Sequence, residues 1–191
     1  VKVVLGADLK KWDKTGKITT KFQARLDPDP KVNLELISNQ DTASLSSIIP
    51  QRVDAVSEAR SVSPVDCPSA DELLTIQEIY KLLSGVIGTS FVDAGADQER
   101  NRGAALHAIV CEKLGYDSYA DNGKFPDVRH QLLEVKLQTS PTIDLGLVLP
   151  SSDSFIEGIN VDATRIRPCD IRYALFYGST SGGLVTIEKF Y

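Results

Sequence analysis

Residues 125–138 read Phe125-Pro126-Asp127-Val128-Arg129-His130-Gln131-Leu132-Leu133-Glu134-Val135-Lys136-Leu137-Gln138. Leu133, Val135 and Leu137 alternate with Glu134, Lys136 and Gln138. A strand here turns an apolar face to a core and places a carboxylate, an ammonium and an amide together on the other. Lys124–Val128 is expected as a second strand, joined to Leu132–Gln138 by a tight Arg129-His130-Gln131 turn. Such a hairpin lays Asp127 beside Glu134, so two carboxylates and Lys136 converge on an open sheet face.

Converging carboxylates repel one another unless a cation lies between them. Oxygen ligands of this kind suit a hard ion such as Mg²⁺, which keeps several of its own waters. That ion polarises a phosphoryl oxygen and activates a water, while Lys136 orients the water or offsets developing negative charge. The chemistry indicated is phosphodiester hydrolysis. Two further acid-x-Lys triplets, Asp8-Leu9-Lys10 and Asp29-Pro30-Lys31, lack an apolar strand around them and read as surface turns.

Helix signals lie upstream. Ser69 and Glu72 form a capping box after Pro68. Leu73, Ile76, Tyr80, Leu83 and Ile87 follow at helical spacing, and Gly88 is the expected stop. A second helix is expected from Gln98 to Leu114, with Leu106, Ile109, Val110 and Leu114 apolar and Gly115 ending it. Ile18 to Leu26 alternates with period two, as a half-buried strand does. Asp27-Pro28-Asp29-Pro30 must then turn, Val32 to Ile37 resumes as a strand, and 38–65 reads as a connector. Downstream, Asp170–Tyr177 and Leu184–Tyr191 flank a Gly-rich hairpin turn at 178–183. This order predicts an α/β fold with a mixed sheet and packed helices. A β-rich N-terminal region and connector occupies 1–65, and a catalytic core 66–191.

Pro126-Asp127 followed by Glu134-Val135-Lys136 resembles the PD-(D/E)XK nuclease superfamily, which includes most type II restriction endonucleases. The resemblance spans roughly 98–191 and is specific over the hairpin. It implies a restriction-endonuclease-like mixed central sheet flanked by helices. It also implies Mg²⁺ held by Asp127, Glu134 and the Val135 carbonyl, with Lys136 catalytic. The short Asp127–Glu134 separation is similar to that of the strand-nicking endonuclease of mismatch repair. Arg102-Gly103-Ala104-Ala105-Leu106-His107 fits the upstream helix, where many relatives carry a glutamate and this chain carries His107. Glu99, Gln138 and His107 are therefore accessory candidates. The implied function is Mg²⁺-dependent cleavage of double-stranded DNA by a homodimeric type II restriction enzyme in a prokaryotic cytoplasm. A monomeric repair nickase and a catalytically silent DNA-binding module of the same fold stand as alternatives. Arg165, Arg167 and Arg172 follow the catalytic hairpin and read equally well as DNA contacts or as a solvated face.

The net charge of -5 weighs against a broadly basic nucleic-acid surface, without bearing on a local carboxylate site. Cys67, Cys111 and Cys169 show no metal-ligand spacing and are expected as reduced thiols. No run approaches the ~18 apolar residues of a membrane span, and no signal-peptide pattern opens the chain. Starting at Val1, lacking methionine and ending at Tyr191 inside a strand-like run, the chain is expected to be a portion of a longer protein.

Overall fold

The computed structural model describes residues 22–25, 38, 40–50, 60–93, 99–140 and 142–191, and among these not the side chains of 24, 25, 99 and 100. Its strands are β1 (Phe22–Arg25), β2 (Ser90–Val92), β3 (Leu133–Gln138), β4 (Thr142–Gly146), β5 (Asn160–Val161), β6 (Thr164–Arg165), β7 (Arg172–Ser181) and β8 (Leu184–Phe190). The helices are α1 (Ala43–Ser46), α2 (Ile76–Leu83) and α3 (Glu99–Lys113). No helix among the described residues is long and apolar enough to cross a membrane.

Four strands form a mixed sheet in the order β2-β8-β7-β3. β7 and β8 pair antiparallel through the turn at Gly182-Gly183, where φ is +57° and +76°. Consecutive left-handed residues match the twist of a two-residue hairpin, and glycine adopts them without a Cβ clash. β3 joins β7 in parallel, with Glu134 opposite Tyr173 and Lys136 opposite Leu175. The mixed α/β class read from the sequence is therefore present.

Alternation along β3 and β7 sends Leu133, Val135, Leu137, Ala174 and Phe176 into one core with Ile79 and Leu83 of α2 and Leu106, Val110 and Cys111 of α3. A second core gathers Leu45, Ile49, Leu73, Leu132, Ile159, Val161, Ile166 and Ile171, with Phe125 and Tyr173 packed against it. Packing thus runs across residue 65, since Leu45 and Ile49 share a cluster with Leu73, Leu132 and Ile171. β1 likewise pairs with β4. Of the expected Ile18–Leu26 strand only Phe22–Arg25 is described, and the expected Val32–Ile37 strand and both extra acid-x-Lys triplets lie outside the described residues.

Several expectations need correction. The turn expected at 178–183 is Gly182-Gly183 alone, since β7 runs on to Ser181 and pairs with β8 there. The cap at Ser69 opens only a 3₁₀ turn, Ala70–Glu72, and the Ser69 hydroxyl bonds Asp71. The helix starts six residues later, where Thr75 and Glu78 form the capping box. Its buried positions are Ile79 and Leu83, leaving Tyr80 and Ile87 exposed. Lys124–Val128 is not a strand. Pro126 has no N–H to donate, and only Val128 makes a bridge, to Leu133. Asp170 belongs to a 3₁₀ turn before β7. The helix around 98–114 and its Gly115 stop, at φ +86°, agree with expectation.

Candidate active site

A 3₁₀ turn, Arg129–Gln131, followed by Leu132 at φ +49°, reverses the chain between Asp127 and β3. The Val128–Leu133 bridge consumes one pair of backbone groups, with N···O distances of 2.9 and 3.1 Å. Beyond it the ladder stops, so two amides need other acceptors. Val135 N–H donates to Asp127 Oδ2 at 2.9 Å, and Asp127 N–H donates to Glu134 Oε2 at 3.0 Å. Each carboxylate closes the other residue's side of the gap. Lys136 Nζ completes the group by donating to Glu134 Oε1 at 2.5 Å.

Asp127, Glu134 and Lys136 are therefore brought together, through a reciprocal side-chain lock instead of the expected hairpin ladder. The Glu134 side chain is 7% exposed and that of Lys136 is 22% exposed. Burial, and then the charge of Asp127, raise the Glu134 pKa, and Lys136 opposes them. In an extended strand the N–H and C=O of one residue project to the same side, so the Val135 carbonyl opens toward Asp127 and away from β7. Gln138 lies on the Glu134–Lys136 face at the end of β3.

The donor set suits a hard divalent cation: two carboxylates, one of them desolvated and raised by the charge of the other, with a single ammonium on Glu134. Among the described residues no group of three or more His, Cys, Asp or Glu side chains converges on a metal position. Mg²⁺ accepts one or two protein carboxylates and keeps its waters, so the pair at 127 and 134 meets its demand.

The turn that sets this geometry is itself held by buried polar groups. His130 Nδ1 faces the Tyr116 hydroxyl at 2.8 Å and the Gln131 amide nitrogen at 3.3 Å, which suits it as an acceptor. Nε2 then donates to Glu72 at 3.1 Å. Gln131 in turn accepts from Leu74 N–H and donates to the Glu72 carbonyl, both at 2.9 Å. Nothing in the sequence signals this network, since Arg-His-Gln between apolar runs reads as a solvated turn.

The arginine group is dispersed. Arg172 is buried, with Asp41 at 2.7 Å and the carbonyls of Gln131 and Leu74 at 2.8 and 2.7 Å. It holds β7 to the site's turn and cannot reach DNA, which corrects the contact expected of it. Arg167 forks onto Asp170 and reaches Ser44, while Arg165 stacks over Phe155 at 4.0 Å. His107 is buried as its helical stripe predicts, but its neighbours are the Ala120 carbonyl at 3.3 Å and Cys111 Sγ at 3.4 Å. The side chain of Glu99 lies outside the described residues.

Tyr173, across the strand pair from Glu134, escapes sequence reading altogether. Its ring leans on Phe125 at 6.4 Å, and its buried hydroxyl has no hydrogen-bond partner among the described residues. Burial, then Glu134 and Asp127, push its pKa up, so it keeps its proton. The Cys111 thiol is pushed up to about 12 by burial, then by Asp121 and Asp127, and is unreactive.

A cavity of about 770 Å³ lies along the free start of β7, lined by Asp41, Ile79, Tyr80, Arg172, Tyr173 and Phe190 among others. None of Asp127, Glu134 and Lys136 lines it, and its Asp41 and Arg172 are already paired. The cavity's charged groups are thus engaged with one another, and the cluster of Asp127, Glu134 and Lys136 is the candidate site. The chain matches no family model, no curated protein and no solved structure.

Proposed function

We propose that the protein is a Mg²⁺-dependent DNA endonuclease of the PD-(D/E)XK type, with a restriction-endonuclease-like fold. The observation that carries this reading is the lock of Asp127, Glu134 and Lys136 at the outer edge of β3. A fold gains little by burying a glutamate against a second carboxylate, whereas a metal site requires it. Asp127 and Glu134, with the Val135 carbonyl, would hold the ion, which supplies Lewis acidity toward a phosphoryl oxygen and a water of lowered pKa. Lys136 stands two residues along the same face, where its ammonium can orient the attacking water or offset charge on the phosphorus oxygens. Double-stranded DNA is the substrate proposed, and a homodimer is the economical route to cutting both strands.

Supercoiled plasmid with Mg²⁺ tests the reading. Wild type is expected to cut it. Asp127→Asn and Glu134→Gln should abolish cutting while leaving DNA affinity nearly unchanged, because phosphate contacts supply affinity. Lys136→Ala should lose about 100-fold or more in rate. Cleavage near the wild-type rate by either carboxylate variant removes the site assignment. Linear product from a dimer, measured by light scattering, supports a restriction enzyme; nicked circles from a monomer support a nickase.

A further inference from the structure

An ion held by Glu134 would change the partners that its carboxylate now has. Lys136 is bonded to the oxygen Glu134 Oε1, and Glu134 Oε2 is occupied by the Asp127 amide. A cation seated on Glu134 repels the neighbouring ammonium, so Lys136 swings away from Oε1 and the carboxylate loses the donor that orients it. An unused donor belongs to the same face of the sheet. Tyr173 faces Glu134 in the parallel register of β3 and β7, so both side chains rise from the same sheet face. Its hydroxyl is buried and has no hydrogen-bond partner among the described residues.

We propose that Tyr173 is a positioning residue for Glu134: its hydroxyl takes up the Glu134 carboxylate when Lys136 leaves it. The inference depends on the nuclease reading for its purpose, but the contact itself is testable on the metal-free protein. Evolution of a fold alone has no use for a sealed, unpaired hydroxyl, since phenylalanine fills the same space without desolvating a polar group. A donor held in reserve on the sheet face of a carboxylate that must change partners accounts for it. The retained proton excludes Tyr173 as a nucleophile and suits it as a donor.

A double-mutant cycle in thermal stability decides the matter. In the protein with Lys136, Tyr173→Phe removes no existing bond, so Tm should stay within about 1 °C or rise. In the Lys136→Ala protein Glu134 Oε1 is free and Tyr173 should already hold it. There Tyr173→Phe should lower Tm by about 2–4 °C or more. Equal effects in the two backgrounds overturn the proposal, as does a large loss of Tm in the first. A second measurement addresses purpose: Tyr173→Phe should need about 10-fold more Mg²⁺ for half-maximal plasmid cleavage. An unchanged Mg²⁺ requirement denies Tyr173 its role in the reaction. Failure of wild type to cut plasmid strikes the nuclease reading, while the melting cycle still decides the contact.

Discussion

Arg172 and Asp41 form an ion pair at 2.7 Å with both side chains about 5% exposed or less, and the guanidinium also caps two carbonyls. Arg172→Ala would leave Asp41 buried without its partner and two acceptors unmet. It should cost about 3–5 kcal/mol, read by urea unfolding. A loss near zero, with weakened DNA binding instead, would return Arg172 to the role expected from sequence. Asp170 gives a pH signature. Burial disfavours its charge, but hydrogen bonds from Arg167 and Thr42 and the Arg167 charge outweigh that and lower its pKa below the ordinary 3.8. A depressed folded pKa means stability that is present above the unfolded value and lost as pH falls through the folded one. Asp170→Asn should therefore melt below wild type at neutral pH, and the gap should close in strong acid. A gap independent of pH would assign the loss to shape alone. At this scale the sequence was informative about Asp127, Glu134 and Lys136, whose types state their chemistry. It was silent on Arg172 and Tyr173, because a charged or aromatic residue looks the same whether it meets DNA, solvent or a buried partner.

Among the elements, the strands with clean alternation and the long helix ending at Gly115 were legible, since one period and one stop signal specify each. α2 was displaced because two box patterns six residues apart, Ser69-x-x-Glu72 and Thr75-x-x-Glu78, compete. The second prevails: Thr75 and Glu78 cap reciprocally, Asp41 accepts the Ile76 N–H at 2.9 Å, and Ile79 and Leu83 reach the core. The missing strand at 124–128 shows a limit of hydrophobic patterning, which does not register that proline cannot donate to a ladder. Within β7, Gly178 sits where the register with β8 shifts. A Cβ there would meet the Thr186 carbonyl oxygen and Val185 Cγ1, each at 3.0 Å. The carbonyl is ladder backbone and cannot retreat freely, so Gly178→Ala should cost about 1–3 kcal/mol, measured by thermal melting. A neutral or stabilising result would show that the bulge absorbs the methyl.

Across the whole molecule, legibility follows sequence separation. Asp127 and Glu134 are 7 residues apart, near enough for one turn to unite them, and their convergence could be anticipated. Arg172 and Asp41 are 131 apart, and no local pattern encodes that meeting. The same separation governs how the sheet comes together. β7 and β8 are joined by a two-residue turn, whereas β3 reaches β7 only after the chain between Gln138 and Arg172 closes on itself. Closing that long loop exacts entropy before the parallel contacts return it. The hairpin is therefore the natural nucleus, and β3, bearing Glu134 and Lys136, is a late arrival docking onto it. Stopped-flow refolding would show this as a division of labour: Ile187→Ala should slow folding, whereas Leu137→Ala should mainly hasten unfolding. The proposed metal site, on this ordering, is the last feature the chain completes on its way to the native state.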